Sequence, residues 1–365
     1  MYLQSFYDYY SDNYIGTVNV GRGYTGTSVM GNIENVLLNP AAFKTENSYM
    51  YCEFMVKVPI DDMNTVTEEK LANNSFLGMM GVSKKINDYL CLGISYSAVK
   101  SIEFDRISIE LMQEPGNYEN RFPSLNNNVL TLTAAYQFGT VSLGLNILNH
   151  FYRIKDNVIY GRYQFARNSM EEYAPRIQPG VYWKPGLFAF GASYVPATDV
   201  DFKSTVLKYN TTMPAVANMG VSLNFTNVTL ALEFTDEFCS QMDDEFEDRY
   251  NGKIGIEIKD DKYSYRLGGM YRSEVWSGTF NPPSDNDSTF DNQYTLEEIY
   301  GYSIGEIGAT EQMYVTGGIG WRNQYLNLDG SLMVDLAGNI NTTQIHGSVG
   351  FILEPIFDVI TSIRK

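Results

Sequence analysis

Apolar and polar residues alternate along much of this chain. In the stretch from Leu130 to Phe138, Leu130, Leu132, Ala134, Tyr136 and Phe138 share one parity, and Thr131, Thr133, Ala135 and Gln137 share the other. After Phe138-Gly139-Thr140 the pattern resumes, with Val141, Leu143, Leu145 and Ile147 opposing Ser142, Gly144 and Asn146. It recurs as Val228, Leu230, Leu232 and Phe234 against Thr229, Ala231, Glu233 and Thr235, and as Leu326, Leu328, Leu332 and Val334 against Asn327, Asp329, Ser331 and Asp335. A period of two puts successive side chains on opposite faces of a strand, so each segment has an oily face and a small, polar one. About fourteen such segments can be counted.

The connections between them sort by length. Tight closures fall at Ile86-Asn87-Asp88, Phe138-Gly139-Thr140, Lys184-Pro185-Gly186, Phe225-Thr226, Asp260-Asp261 and around Asn323. Long spacers lie between them, at roughly 59–74, 101–127, 152–174, 197–213, 237–250 and 273–313. Short turns at one end and long loops at the other are the habit of outer-membrane barrels. Segments of about ten residues match a tilted strand crossing the hydrocarbon layer. Closure is then required, because an open edge in lipid leaves backbone groups unsatisfied. The expected fold is all-β: a transmembrane antiparallel β-barrel of about fourteen strands with an N-terminal plug, since a ring this wide cannot be filled by its own side chains. The chain divides into a plug or hatch at 1–47, the barrel at 48–354 and a tail at 355–365.

Composition agrees with that division. The 365 residues include 31 Gly, 28 Tyr and 20 Phe, and only 19% are charged, as suits a lipid-facing wall with aromatic belts. No run approaches the roughly 18 apolar residues of a membrane helix. A net charge of −17 argues against a nucleic-acid partner and is assigned to solvated loops such as Asp243-Asp244-Glu245-Phe246-Glu247-Asp248 and Glu297-Glu298. That acidic run lacks the spacing of a calcium loop, so no metal site is expected. Cys52, Cys91 and Cys239 fit neither a zinc nor a redox spacing and read as apolar filler. The first residues, Met-Tyr-Leu-Gln-Ser, form no signal peptide, so an exported protein is expected to have carried a leader absent from this sequence. The expected location is the bacterial outer membrane, with membrane lipid and lipopolysaccharide as surroundings.

Candidate chemistry is sparse. The two histidines, His150 and His346, have no serine motif beside them and read as rim residues rather than bases, so no enzyme is expected. Parity places Glu233, Glu257, Arg266, Arg322, Asp329 and Asp335 on the lumen face, where they can pair with a plug, line a polar path or meet a ligand headgroup. Gly21-Arg22-Gly23-Tyr24-Thr25-Gly26 formally matches G-x-G-x-x-G. A dinucleotide site also needs a following helix, a parallel strand and an acidic ribose ligand, and none is indicated, so no cofactor is expected.

The same box, followed by Asn32-Ile33-Glu34-Asn35 and Asn39-Pro40-Ala41, resembles the amino-terminal hatch of the FadL/TodX family of outer-membrane transporters. Tyr182-Trp183-Lys184-Pro185-Gly186-Leu187, Gly191-Ala192-Ser193-Tyr194-Val195-Pro196 and Asp199-Val200-Asp201-Phe202 resemble its central hairpin. The resemblance implies passive transport of long-chain fatty acids or other hydrophobic compounds, captured at the extracellular mouth. It implies a gating hatch that includes Gly21, Arg22, Gly23, Tyr24, Gly26, Asn39, Pro40 and Ala41. A related branch, resembling the PorV component of type IX secretion, would instead bind an exported or partner protein. The chain is shorter than the transporters, and its loops lack their hydrophobic helix pair.

Overall fold

Fourteen strands follow one another around a ring. They are β1 (Tyr49–Pro59), β2 (Asn74–Lys85), β3 (Leu90–Glu110), β4 (Tyr118–Phe138), β5 (Val141–Tyr160), β6 (Tyr163–Trp183) and β7 (Phe188–Val195), then β8 (Val216–Asn224), β9 (Val228–Glu237), β10 (Arg249–Lys259), β11 (Tyr263–Arg272), β12 (Gln312–Arg322), β13 (Leu326–Asp335) and β14 (Thr342–Ile352). Each pairs antiparallel with its neighbours in sequence, and β1 closes the ring against β14, with Tyr49 opposite Ile352 and Pro59 opposite Thr342. The structure is a computed structural model that describes residues 12–59, 70–71, 74–110, 118–160, 163–203, 208–241, 246–275, 311–337 and 342–353. The tip bearing Asn281 to Asp287, the acidic Asp243 to Glu245, Glu297 and Glu298, and the tail 355–365 lie outside the described residues.

Alternation sets which way each strand faces. Leu132, Tyr136, Phe138, Leu143, Leu145, Ile147, Leu230, Leu232 and Phe234 are exposed on the outer surface, while Thr131, Thr133, Ala135, Asn146, Ala231 and Glu233 are buried inside. In water such a continuous apolar exterior would be an aggregation surface; in lipid it is the wall. The expected turns fall where the spacing placed them, and Gly139 and Gly186 take the positive φ (57° and 78°) that their tight turns require.

Two of the expected long loops are mostly strand. β3 runs on to Glu110 and β4 begins at Tyr118, while β5 and β6 are separated only by 161–162. Their ladders continue through polar pairs such as Asn126–Arg153 and Lys155–Ser169. Where these extensions are described, outward positions such as Arg153, Ser169 and Glu171 are polar while Leu125, Tyr152, Ile154 and Met170 are buried on the inner face, so the oily-out pattern of the wall is lost although backbone pairing continues. The 197–213 spacer likewise carries a small hairpin, Thr198–Lys203 with Lys208–Met213.

The N-terminal segment lies inside the ring. It contains a one-turn helix α1 (Thr17–Gly21) and two short 3-10 turns, Ile33–Leu37 and Pro40–Ala42. Ile15, Ile33, Val36 and Phe43 pack against the wall residues Tyr51, Met79, Cys91 and Ala135. Three cross-strand glycine pairs make room for it: Gly144–Gly180, Gly191–Gly220 and Gly255–Gly268. A Cβ at Gly144 would overlap the Ala41 backbone, at Gly191 the Thr27 carbonyl, and at Gly268 the Gly23 amide. The wall therefore meets the segment backbone to backbone. The segment also covers the wall's polar face, so His150 and His346 are buried within β5 and β14 and are not rim residues.

Candidate functional site

The glycine box forms the tightest joint between segment and wall. Arg22, 1% exposed, donates from Nη1 to Glu257 Oε2 at 2.8 Å and from Nη2 to the Thr25 carbonyl at 2.9 Å. Glu257 also accepts from Arg266 Nε at 2.8 Å, and Arg266 Nη1 reaches Asp329 Oδ1 at 2.8 Å. The chain turns left-handed at Gly23 (φ 67°) and Tyr24 (φ 59°), which lets Gly23 N donate to Thr316 Oγ1 at 2.9 Å. Gly21 packs against the Gly318 backbone, and Gly26 faces Asn35. Gly26 N and Ser28 N donate to Glu233 Oε1 at 2.9 and 3.0 Å.

A second joint is made by Asn39-Pro40-Ala41. Asn39 caps its turn by accepting from Ala41 N at 3.0 Å, and its Nδ2 donates to Thr27 O at 2.8 Å and to Val181 O of β6 at 3.0 Å. Pro40 opens the turn, where its missing N–H leaves nothing unsatisfied. Wall side chains supply donors to the neighbouring carbonyls: Asn146 to Val36 O at 2.6 Å, Gln178 to Leu37 O at 3.0 Å and Ser193 to Leu38 O at 2.6 Å. Beside this joint the β6–β7 ladder has only four paired residues, and Arg176 spans the break by donating to Pro196 O and Pro214 O.

A buried carboxylate pair holds the start of α1. Glu34 Oε2 accepts from Val18 N at 2.7 Å, and Glu53 on β1 accepts from Gly16 N at 3.0 Å while lying 2.8 Å from His346 Nδ1. Burial, followed by the charges of Glu53 and Asp329, pushes the Glu34 carboxyl up to about 8. Burial alone would also raise Asp12, but Arg272, Lys100 and Arg249 hold it well below the usual carboxylate range. Burial pushes the Tyr14 phenol up to about 12.

Two cavities lie on either side of the segment. The turn-side cavity, about 390 Å³, is polar and is lined by Arg22, Glu34, Glu46, Lys259, Arg266, Arg322 and Asp329. The loop-side cavity, about 270 Å³, has two unlike walls. One is largely apolar, with Val99, Val129, Leu148, Val195, Met213 and Val216 and, from the segment, Leu37 and Leu38, interspersed with Lys100, Asn127, His150, Tyr152 and Arg176. The other carries Asn251, Lys253, Met270 and Arg272. Its carboxylates are already engaged, Asp12 by Lys100 and by Arg272 at 2.5 Å, and Glu237 by Arg272 at 3.5 Å and Arg249 at 3.8 Å. Lys253 differs. Its Nζ donates to Thr235 Oγ1 at 2.8 Å and sits 5.1 Å from the Tyr24 ring centroid, with no carboxylate at ion-pair distance among the described residues.

Of the residues that parity placed in the lumen, Glu233, Glu257, Arg266 and Asp329 meet in or beside the glycine-box joint. Asp335 is buried at the loop-side end of β13, where it accepts from Ala337 N at 3.2 Å. Arg322 shares the inward parity but is exposed at the end of β12, at the mouth of the turn-side cavity. Lys253 and Asn251 were overlooked, although both share the parity of Glu257 on the same strand. Among the described residues no cluster of metal-ligating side chains occurs.

A closed, lipid-faced ring of fourteen antiparallel strands, turned tightly at one end and extended at the other, is a transmembrane β-barrel. The solved structures it is similar to include the toluene transporter TodX of Pseudomonas putida, at a TM-score of 0.63 and 12% identity over 94% of this chain and 98% of that one. They also include a TodX deltaS2S3 mutant described as a monoaromatic hydrocarbon channel, at a TM-score of 0.62 and 12% identity over 92% and 98%. The chain thus has a FadL/TodX-like fold. No family model and no curated protein matches its sequence.

Proposed function

We propose that this protein is a passive outer-membrane channel for hydrophobic compounds and that it favours those with an acidic head, such as fatty acids. The observation that carries this reading is the loop-side cavity, which is lined both by a largely apolar set of residues and by the buried Lys253. Removing a ligand's apolar surface from water supplies about 25 cal/mol per Å² before the costs of immobilising it. A pure hydrocarbon would use only the apolar wall. A carboxylate would in addition give Lys253 an ion-pair contact beside its bond to Thr235. At about 270 Å³ the cavity is near the lower end of small-molecule pockets, roughly 300–1,000 Å³, so it suits a head and the first part of a chain.

In this reading the N-terminal segment is the hatch, and magnitudes decide which half of it moves. Breaking the buried Arg22–Glu257 pair costs on the order of 3–5 kcal/mol, since it strands a charge. The Asn39 joint rests on neutral hydrogen bonds, each contributing about 1 kcal/mol net. The glycine box is then the fixed anchor, and the part around Asn39-Pro40-Ala41 swings to connect the two cavities.

The test is equilibrium binding of laurate and of toluene to the detergent-purified barrel. Replacing Lys253 by Met is expected to weaken laurate about 10- to 100-fold, the worth of a charge-assisted hydrogen bond, and to leave toluene within a few-fold. Equal losses for both ligands, or no laurate binding by the wild type, would sink the acidic-head reading. Recovery of a stoichiometric polypeptide and no small molecule would favour the secretion-type alternative.

A further inference from the structure

The acid-binding reading leaves several buried polar atoms of the same cavity without a role, and one of them stands two residues from Lys253 on the same strand. Asn251 and Lys253 stand on the inward face of β10, each 4% exposed, and both line the loop-side cavity. Asn251 Nδ2 donates to Glu237 Oε1 at 2.9 Å. That contact fixes the amide, because the flipped orientation would set Oδ1 against a carboxylate. Oδ1 is therefore an acceptor, and it has no hydrogen-bond partner among the described residues. Lys253 has three N–H groups, of which Thr235 takes one. The polar wall thus offers a cation with spare donors and, two residues away, a spare acceptor.

We propose that the loop-side cavity recognises a hydroxylated acid, with the carboxylate on Lys253 and a hydroxyl near the head donating to Asn251 Oδ1. This inference rests on the acid-binding reading and names the ligand class more narrowly. An ionised carboxylate has no proton to give Asn251, so a plain fatty acid would bury that acceptor unsatisfied. A hydroxyl on the second or third carbon supplies the proton. The geometry suits it: residues i and i+2 of a strand stand about 6.6–6.8 Å apart, a gap that two oxygen groups a few bonds apart bridge with one hydrogen bond at each end. The hydrocarbon tail then lies toward Leu148, Val195 and Val216. An amine head is disfavoured, because Asp12 and Glu237 are already taken up by Arg272, Lys100 and Arg249.

The experiment is a side-by-side titration of the purified barrel with laurate and with 3-hydroxylaurate, read by calorimetry. The wild type is expected to bind 3-hydroxylaurate about tenfold more tightly, and Asn251→Leu is expected to bring the ratio of the two affinities to within about twofold of one. Heat-modifiable gel mobility reports whether the variant barrel is folded; if it is not, the wild-type ratio alone decides. Equal wild-type affinities would overturn the hydroxyl assignment and leave the acid-binding reading standing. Failure of both acids to bind would overturn the two together, and laurate reports that failure independently.

Discussion

Glu34 shows how a single buried residue ties the N-terminal segment to pH. Its carboxyl rises from an ordinary 4.5 to about 8, chiefly through burial and then through Glu53 and Asp329, with Arg266 and the Tyr51 hydroxyl opposing. An acid whose folded value is raised binds more protons folded than unfolded, so its contribution is fully present below about pH 4.5 and falls as pH rises to about 8. One proton corresponds to at most about 1.4 kcal/mol per pH unit in that window. Amide exchange at Val18 and Asn19, corrected for intrinsic rate, is expected to speed up between pH 5 and pH 8 relative to barrel amides and then level off; Glu34→Gln should abolish the trend. A flat profile in the native protein would refute the assignment. The sequence reading did not anticipate this group, because nothing in Asn32-Ile33-Glu34-Asn35 shows that Glu34 folds under α1. Parity did place Glu233, Glu257, Arg266 and Asp329 correctly on the inner face. It could not rank them, since which inward charge finds a partner depends on how the segment threads the lumen.

Among the elements, the strands were readable where lipid bathes one face and unreadable where it does not. β9, with Leu230, Leu232 and Phe234 outward and Thr229, Ala231 and Glu233 inward, is legible from either face. The outer halves of β3 to β6 were not, because where they are described the outward residues, such as Arg153, Ser169 and Glu171, are polar and apolar ones such as Tyr152, Ile154 and Met170 turn inward, the reverse of the lipid-facing pattern. The glycine pairs were also hidden. Gly144 and Gly180 are 36 positions apart in sequence and become a pair only through the β5–β6 register. Their effect is to let the Asn39-Pro40-Ala41 turn sit flat on the wall. If that turn is the moving part, Asn39→Ala, which deletes the bonds to Thr27 and Val181 and the cap on Ala41 N, should loosen it by roughly 3 kcal/mol. Laurate flux into barrel-containing liposomes is expected to rise severalfold while the barrel keeps its heat-modifiable mobility. Unchanged flux would mean that this joint does not gate.

As a whole molecule, the barrel solves two problems with one alternation. The outward residues satisfy the membrane, and the inward ones satisfy a segment that would otherwise carry unpaired backbone groups. Wall and segment are joined by polar contacts at Glu53, Glu233 and Glu257 and by apolar packing on both sides, of Ile15, Ile33, Val36 and Phe43 against β1 to β4 and of Tyr14 and Val20 against β11 to β13. An amphipathic cavity remains on the loop side and a polar one on the turn side. The first of these is proposed to hold an amphipathic small molecule. The most direct check is native mass spectrometry of the barrel purified from outer membranes in mild detergent, with lipid extraction of the bound material. One acyl acid per barrel is expected, released on denaturation and lost in Lys253→Met. A barrel that carries no small molecule and retains a stoichiometric protein partner would contradict it.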